Sequence, residues 1–128
     1  MEKVKITTSA APAPGGWYSQ AFKVGDFVFT AGVTANDPVT QELIGKDDIV
    51  LQTRQALLNL EQVLLAAGTD LSHVVKTLVF ISNIDDFDKF NNEYKKMFPT
   101  DPPARSTMQV GKFNNGMLIE IEAVAVIP

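Results

Sequence analysis

Apolar residues follow two different periods along this chain, and each period predicts one kind of element. Runs of β-branched and aromatic residues predict strands, because such side chains suit a pleated, half-buried surface. These runs cover residues 17–22, 27–30, 74–81, 105–110 and 117–127, with a weaker alternation over 4–8. Val24-Gly25-Asp26-Phe27 predicts a tight turn, so the strands on either side of it should form a hairpin, and Asn114-Asn115-Gly116 predicts a second turn before the last strand.

Two other segments carry apolar residues at helical spacing. The first should begin at Asp47 or Asp48, whose carboxylates suit a helix N-terminus, and should end at Gly68. Its predicted apolar positions are Val50, Leu57, Leu60, Leu64 and Ala67, with Thr53 filling the gap between them. The second should begin near Asp85-Asp86 and end at Pro99, and its apolar stripe consists of Phe87, Phe90, Tyr94 and Met97.

The order of these elements is hairpin, helix, strand, helix, strand, strand. It predicts an α+β fold in which two helices pack on one face of a mixed β-sheet. Side chains alternate between the two faces of a strand, and in the last strand both sets are largely apolar. Two helices can cover only one face, so the other face should be buried against a further subunit.

Composition places the chain among ordinary globular proteins and narrows its expected partners. It has 128 residues, of which 45% are hydrophobic and 20% charged, enough for a single domain over residues 1–128. A net charge of −4 gives no sign of a nucleic-acid surface, and no apolar run is long enough to span a membrane. The N-terminus lacks a signal-peptide pattern. We therefore expect a cytoplasmic protein without nucleic-acid or membrane partners.

The scarcity of cysteine and histidine excludes several kinds of chemistry. The chain contains no cysteine and one histidine, which rules out thiol nucleophiles, disulfides, Cys-based metal sites and multi-histidine metal sites within one chain. A catalytic triad would need His73, which stands at the start of a predicted strand and is expected to be a surface or strand-edge residue. Arginine, carboxylate, hydroxyl, amide and backbone groups remain as candidates, with no metal.

One arginine and two glutamates stand out among these groups. Arg105 follows the pair Pro102-Pro103, which stiffens its approach, while Glu120 and Glu122 interrupt the apolar last strand. An unpaired carboxylate is costly to bury, so a pairing with Arg105 is expected. From the pattern alone, such a pair fits a structural ion pair as well as a functional one.

The same residues carry a resemblance to a known family. The chain resembles the signature of the RidA (YjgF-like) reactive-intermediate deaminases in Pro103-Ala104-Arg105-Ser106-Thr107-Met108, in Gly111 and in Ile119-Glu120-Ile121-Glu122-Ala123. The family's Gly-Pro-Tyr-Ser-Gln-Ala segment is similar to Gly16-Trp17-Tyr18-Ser19-Gln20-Ala21. Further similar segments are Thr30-Ala31-Gly32, Asp37-Pro38-Val39-Thr40, Ala66-Ala67-Gly68 and Phe90-Asn91-Asn92-Glu93-Tyr94. The resemblance therefore covers essentially the whole chain.

The resemblance implies a fold, an assembly and a reaction. The implied fold is a chorismate-mutase-like (bacillary type) α+β protomer, which assembles as a homotrimer around an inner β-barrel with sites in clefts between subunits. The implied reaction is hydrolysis of 2-iminobutanoate, 2-iminopropanoate and their enamine forms to 2-oxo acids and ammonia, without a cofactor. PLP-dependent dehydratases supply such intermediates, so the expected ligand is a small 2-imino or enamino acid.

Particular residues carry over with the resemblance. Arg105 resembles the arginine that grips the substrate carboxylate, and Glu120 resembles the group that exchanges protons or positions water. The position of Thr107 matches one whose backbone holds the substrate and the attacking water. The expected pocket wall consists of Tyr18, Asn91, Ala31 and Gly32. Desolvation would raise the pKa of Glu120 and Arg105 would lower it, and the sequence leaves this balance open.

Three departures from the family pattern bear on the range of substrates. Thr107 stands where cysteine is frequent, Trp17 where proline is usual, and Val33 where glutamine is common. The alternative to an enzyme is a non-catalytic trimer that binds small carboxylates, or that acts as a chaperone-like or regulatory partner. Retention of both Arg105 and Glu120 favours the enzyme.

Overall fold

The computed structural model describes residues 1–128 and contains six strands and two α-helices. The strands are β1 (Lys3–Ile6), β2 (Ala21–Val24), β3 (Phe27–Thr30), β4 (Val74–Ile81), β5 (Ala104–Gln109) and β6 (Ile119–Val126). The helices are α1 (Ile49–Ala66) and α2 (Phe87–Met97), and short 3₁₀ turns at Leu71–His73 and Ile84–Asp86 precede β4 and α2. This order agrees with the order predicted from the sequence, including the weak first strand.

All six strands form one sheet in the order β1-β2-β3-β6-β4-β5. Neighbouring strands are antiparallel except β4 and β5, which are parallel because α2 carries the chain back between them. The last strand therefore lies between β3 and β4 in the middle of the sheet, while β5 forms an edge. The predicted mixed sheet is confirmed.

Both helices pack on one face of the sheet. The hydroxyl oxygens of Tyr94 on α2 and Thr77 on β4 are 2.7 Å apart, and α1 packs against both α2 and β6. The residues of β6 buried on this face are Ile119, Ile121, Ala123 and Ala125. Leu57 and Leu60 of α1 are fully buried between the layers. Burial of a leucine side chain stabilises the fold by about 1.5–3 kcal/mol relative to exposure in water.

The ends of α1 follow from the residues that flank it. Asp48 is the N-cap, and its Oδ1 accepts hydrogen bonds from the amides of Val50 and Leu51 at 3.0 and 3.1 Å. Beyond the C-cap residue Ala67, the backbone of Gly68 adopts a φ of +90°, which residues with a Cβ atom rarely adopt. Both predicted ends of this helix are confirmed.

The opposite face of the sheet is open and largely apolar, although Glu120 and Glu122 of β6 also lie on it. Phe27 and Phe29 are each 47% exposed on this face, and Met108 is 42% exposed. The half-buried apolar residues that continue the surface are Leu78, Phe80, Val124 and Val126. The prediction that both faces of the last strand are largely apolar is thereby confirmed. The subunit expected to cover the open face stays a prediction.

Two details differ from the prediction. Residues 17–20 form bends instead of a strand, and β2 begins at Ala21, because the Tyr18 amide folds back to donate to the Gly16 carbonyl at 3.0 Å. The predicted turn at 114–116 is present, with φ values of 56° at Asn115 and 78° at Gly116. It does not join neighbouring strands, however, since β4 lies between β5 and β6.

Candidate functional site

A cavity of about 580 Å³ lies between the loop before β2, the loop after β3 and the turn before β6. Its walls come mainly from residues 11–16, 18, 31–34, 36, 41–43, 114, 115 and 117. Four of the predicted site residues line it: Tyr18, Ala31, Gly32 and Glu120. The volume falls within the range of about 300–1,000 Å³ that is usual for small-molecule sites.

Gly32 makes room for the Glu120 side chain beside the cavity. The backbone groups of Val33 and Ile121 exchange two hydrogen bonds, at 2.8 and 3.0 Å, and this pairing brings Gly32 against Glu120. A Cβ atom on Gly32 would lie 2.5 Å from the carboxyl carbon and 2.5 Å from Oε2 of Glu120. Only glycine therefore fits at position 32 while the carboxyl group keeps its place.

The carboxyl group of Glu120 has no cation beside it. The ion pairs of the chain involve Arg54, Lys96 and His73, and none of them reaches Glu120. Burial raises the pKa of Glu120 above its ordinary value, and the charge of Glu122 raises it further. Desolvation therefore prevails within one chain over the lowering that Arg105 was expected to cause. A carboxyl group with a raised pKa keeps its proton closer to neutral pH, which suits a general acid.

A buried glutamine holds the loop that carries Tyr18. Oε1 of Gln20 accepts a hydrogen bond from the Thr8 amide at 2.7 Å, and its Nε2 donates to the Thr8 and Pro12 carbonyls at 3.0 and 2.9 Å. The Gly15 amide donates to the Tyr18 hydroxyl at 3.1 Å. These bonds fix the Tyr18 ring in the cavity wall.

The guanidinium group of Arg105 lies on the helix side of β5, against α2. Its Nη1 donates to Oδ1 of Asn91 at 2.9 Å, and its Cζ is 4.7 Å from the ring centroid of Tyr94. The ring centroids of Phe90 and Phe87 are 5.3 and 5.5 Å from the same atom. Cation–π attraction and one amide hydrogen bond thus hold the cation without a carboxylate. Further N–H donors of its planar fork are left for an anion.

The three departures from the family pattern occupy different environments. Thr107 follows Arg105 by two residues on the same face of β5, and its Oγ1 is buried without a hydrogen-bond partner. Such unpaired groups are uncommon in folded proteins. Val33 is buried and lines the cavity, whereas Trp17 is fully exposed and does not line it. Of the three, only Val33 shapes the cavity directly.

Arg105 and Glu120 lie on opposite faces of the sheet. The predicted ion pair between Arg105 and a glutamate of the last strand is therefore wrong for a single chain. In the strand register Arg105 is level with Thr77, which points to the helices, and Glu120 is level with Phe80, which points to the open face. Two strand spacings and three residues of rise put the Cα atoms of Arg105 and Glu120 about 14 Å apart. Glu122 shares the face of Glu120, so it forms no pair with Arg105 either.

The residues predicted from the sequence therefore form two separate groups. The cavity group consists of Tyr18, Ala31, Gly32 and Glu120. The arginine group consists of Asn91, Arg105 and Thr107. The cavity group offers a proton-exchanging carboxyl group without a cation, and the arginine group offers an anion-binding cation without a free acid. Neither group holds a cluster of three metal-ligating side chains.

The single histidine does not belong to a catalytic triad. His73 ends the 3₁₀ turn before β4, as expected for a strand-edge histidine, and its Nδ1 is 2.8 Å from Oδ1 of Asp70. Oγ of Ser72 is 3.2 Å from the same Nδ1 and 2.6 Å from the same Oδ1. A triad uses the two ring nitrogens for different partners. The contacts of Asp70 serve instead to cap the turn through the Ser72 amide.

Sequence reasoning missed two buried amides on α1 that hold the cavity loops in place. Gln52 accepts from the Leu118 amide at 2.8 Å and donates to the Gly45 and Gly116 carbonyls at 3.0 and 3.1 Å. Asn59 donates to the carbonyls of residues 34 and 36 at 2.9 and 2.8 Å. Both side chains interrupt the apolar stripe of α1 at a spacing of two helical turns, which is a signal that could have found them.

Fold and site together define a small α+β protein with a small-molecule cavity and with carboxyl and guanidinium groups on separate faces. The profile of the family described as Endoribonuclease L-PSP matches residues 8–127. The chain belongs to this family, the YjgF/RidA family, as its resemblance predicted. None of its helices has the length and apolar character that crossing a membrane requires.

Relatives and solved structures match along nearly the whole chain. A RutC family protein of Pyrococcus abyssi is 42% identical over 125 residues, covering 98% of this chain and 98% of that protein. Reactive Intermediate Deaminase A, chloroplastic, of Arabidopsis thaliana is 39% identical over 127 residues, covering 99% of this chain and 67% of that protein. The crystal structure of E. coli TdcF with bound serine has a TM-score of 0.91 at 34% identity, covering 98% of this chain and 99% of that one.

Proposed function

We propose that the protein hydrolyses reactive 2-imino acids and their enamine forms, such as 2-iminobutanoate and 2-iminopropanoate, in a site that two copies of the chain complete together. The observation that carries this proposal is the separation of the two chemical groups. Glu120 lines a cavity without Lys or Arg, while the guanidinium of Arg105 faces the other side of the sheet. A 2-imino acid needs both groups within a few ångströms, because its carboxylate is bonded directly to the reacting carbon.

Glu120 supplies the proton transfers in this mechanism. The protonated carboxyl group donates its proton to the β-carbon of the enamine and gives the iminium form, and burial, which raises the pKa of Glu120, favours the protonated state that this step needs. Water then adds to the iminium carbon and passes a proton to the carboxylate. Collapse of the carbinolamine releases ammonia. One enamine and one water give one 2-oxo acid and one ammonia, so the step needs no oxidant or reductant.

Arg105 of a second copy binds the substrate carboxylate. A planar guanidinium suits bidentate carboxylate binding and stays charged at any relevant pH. The hydrogen bond to Asn91 and the rings of α2 restrict the guanidinium before substrate arrives, so less orientational freedom is lost on binding. We assign the backbone of Thr107, on the same face of β5, to the attacking water.

We propose a homotrimer in which the open sheet faces enclose an inner β-barrel. Phe27, Phe29 and Met108 are exposed on that face, and a monomer would leave this apolar surface in water. Association would bury it and bring the arginine group of one copy to the cavity group of another. The mass of the particle in solution, measured by light scattering, tests this assembly, and a monomer at assay concentration contradicts it.

The names of two similar proteins support an imino or amino acid as ligand. The Arabidopsis relative is named as a reactive intermediate deaminase. The TdcF structure contains bound serine, a small molecule with a carboxylate and an amino group. Both chains share more than 30% of their aligned residues with this protein.

The family's description as an endoribonuclease suggests RNA as a different substrate. Binding of RNA depends on cations that neutralise phosphates. Within one chain the cavity is lined by two acidic residues, Glu42 and Glu120, and by no Lys or Arg, and the chain carries a net charge of −4. The electrostatics of the cavity therefore favour an imino acid over a polyanion.

An imine-trapping assay tests the proposed reaction. A PLP-dependent dehydratase acting on serine or threonine supplies the enamine, and semicarbazide traps the imine that escapes hydrolysis. The protein should lower the rate of semicarbazone formation and raise the release of 2-oxo acid. Arg105→Ala should lower this activity about 100-fold, because the substrate carboxylate is no longer held in position for the reaction. Arg54→Ala removes the other arginine of the chain and should retain the activity.

Two results would contradict the proposal that the protein is an enzyme. They are a wild-type protein that does not change semicarbazone formation, and an Arg105→Ala variant as active as wild type. Either result would favour the alternative of a non-catalytic trimer that binds small carboxylates or acts as a chaperone-like or regulatory partner. Calorimetric titration with a stable 2-oxo acid then separates a carboxylate-binding trimer from one without a ligand site.

A further inference from the structure

Within one chain, before a second copy contributes its arginine group, the cavity is larger than a three- or four-carbon imino acid requires. Its volume of about 580 Å³ lies in the range that holds ligands of drug size. Glu120 and Gly32 mark the reacting end, whereas Glu42, Asn114 and Asn115 belong to other loops of the wall. The side chains of these three residues form no ion pair or hydrogen bond within the chain. We call them the outer wall.

Glu42 projects from a loop whose backbone is fixed. Oδ1 of Asp37 accepts hydrogen bonds from the amides of Val39 and Thr40 at 2.7 and 3.0 Å. The Glu42 amide donates to Oγ1 of Thr40 at 3.2 Å, and the Glu42 carbonyl accepts from the Asp37 amide at 2.7 Å. The loop thus holds its backbone through its own polar groups and leaves the Glu42 carboxylate unused.

The turn that carries the two asparagines is fixed in a similar way. The Met117 amide donates to the Asn114 carbonyl at 3.2 Å, and Asn115 and Gly116 both have positive φ. The buried side chain of Gln52 donates to the Gly116 carbonyl at 3.1 Å and ties the turn to α1. The amide groups of Asn114 and Asn115 are therefore presented from a restrained backbone.

Other amides near the cavity already have partners. Nε2 of Gln41 donates to the Pro38 carbonyl at 2.7 Å, and its Oε1 accepts from the Ala13 amide at 3.0 Å. The free polar groups of the wall thus carry a negative charge and two neutral amides. Glu42 is the charged side chain among these groups and no Lys or Arg of the same chain lines the cavity, so the outer wall favours a cation over an anion.

We propose that the outer wall binds a cationic side chain, so that the substrates include 2-imino acids whose side chain ends in a guanidinium or ammonium group. This inference rests on the proposed function and names a substrate class for the same site. Glu42 supplies the opposite charge, and the carbonyl oxygens of Asn114 and Asn115 accept hydrogen bonds from the cation. The reaction itself is unchanged: the imine and one water give the 2-oxo acid and ammonia, and the distal cation takes no part in bond making.

A matched pair of substrates tests this inference. An amino-acid oxidase with catalase produces the imines of arginine and citrulline, whose side chains have similar length and end in a cationic guanidinium and a neutral ureido group. Competition with semicarbazide gives kcat/KM for each. Wild type should favour the guanidinium substrate about fivefold, as expected for one partly exposed ion pair. The preference should shrink as the salt concentration rises.

Substitutions of Glu42 separate its charge from the shape of the cavity. Glu42→Gln should abolish the guanidinium preference, and Glu42→Lys should reverse it. Glu2→Gln removes the same charge from an exposed position outside the cavity and should keep the preference. Equal kcat/KM for both imines in wild type, or an unchanged preference in Glu42→Gln, overturns the inference. In that case, hydrolysis of the imine of leucine leaves the proposed function standing. If the protein accelerates the hydrolysis of no imine, both the inference on the outer wall and the proposed function are overturned.

Discussion

At the level of single residues, the candidate site depends on a close fit between a glycine and a carboxyl group. Gly32 and Glu120 precede Val33 and Ile121, whose backbones are joined by two hydrogen bonds. The atoms that a methyl group at 32 would meet belong to the flexible end of the Glu120 side chain. A side chain at 32 would therefore displace the carboxyl group more readily than the backbone.

Gly32→Ala should accordingly harm activity much more than stability. A displacement of the acid by about 1 Å can cost 100-fold in kcat, so a loss of about 100-fold is expected in the imine-trapping assay. The free energy of unfolding should fall by about 1 kcal/mol, because the carboxyl group can swing aside. Gly111→Ala is the matched control, since no atom lies within 4 Å of a Cβ at that position. Equal effects of the two substitutions on activity would contradict the close fit between Gly32 and the Glu120 carboxyl group.

The raised pKa of Glu120 predicts a pH-dependent effect on stability. The folded state holds this proton more tightly than the unfolded state does. The contribution of Glu120 to the free energy of unfolding is therefore fully present below the ordinary pKa of 4.5, and it is lost as the pH rises through the raised pKa. Glu120→Gln should therefore unfold at a higher denaturant concentration than wild type at neutral pH, and the difference should vanish below pH 4.5.

A second substitution checks the cause of that effect. Removal of the neighbouring charge in Glu122→Gln should lower the pKa of Glu120 and move the stability difference to lower pH. Urea titrations at several pH values measure both effects. A stability difference between Glu120→Gln and wild type that does not change with pH would contradict the raised pKa.

At the level of elements, an ion cluster joins the two helices. Nε of Arg54 on α1 is 2.8 Å from Oε1 of Glu93 on α2, and Nζ of Lys96 is 3.0 Å from Oε2. The side chain of Glu93 is 5% exposed, whereas those of Arg54 and Lys96 are 46% and 66% exposed. The hydrogen bond from Arg54 is the main cause that lowers the pKa of Glu93.

This cluster should stabilise the fold at neutral pH and fail in acid. A carboxylate with a lowered pKa contributes stability above its ordinary value of 4.5 and loses it as the pH falls through the lowered value. Glu93→Gln should therefore lower the urea midpoint at pH 7, and the difference from wild type should shrink as the pH falls below 4.5. Glu61→Gln on α1 is the control, because Glu61 forms no ion pair. If Glu93→Gln lowered the urea midpoint by the same amount in acid as at pH 7, the result would contradict the lowered pKa of Glu93 as the source of this stability.

The elements were predictable from the sequence to a greater extent than the site. Strong patterns such as the β-branched run of β4 and the capped stripe of α1 predicted both elements within two residues at each end. The link between Arg105 and Glu120 was not predictable in the same way. Their spacing suggested a pair, but spacing does not reveal that β4 inserts between β5 and β6 or that the two side chains point to opposite faces.

The cavity loops escaped prediction for a related physical reason. Their positions depend on side chains far away in sequence, such as Gln52, which bonds to Gly116 and Leu118 across more than sixty positions. Local propensity carries no information on such bonds. Tyr18, Ala31, Gly32 and Asn91 entered the prediction through the family resemblance, since the local pattern alone fits core, loop or solvated residues.

At the level of the whole molecule, the separation of the two groups predicts that inactive variants can complement each other. Arg105→Ala retains a normal cavity group, and Glu120→Gln retains a normal arginine group. In assemblies formed from an equal mixture after unfolding and refolding together, about one quarter of the interfaces should combine two intact groups. The mixture should therefore recover about one quarter of wild-type activity. No recovery, in mixed assemblies of normal mass, would contradict a shared site.

Because Glu120 and Arg105 face opposite sides of the sheet, the proposed shared site implies that a newly made chain would hold both groups and still be unable to act. Its activity would appear only after collision with other copies, so specific activity would depend on protein concentration. Dilution below the dissociation constant of the assembly would switch the protein off without unfolding it. The amount of protein that a cell makes would then set both the number of sites and the fraction of chains that work.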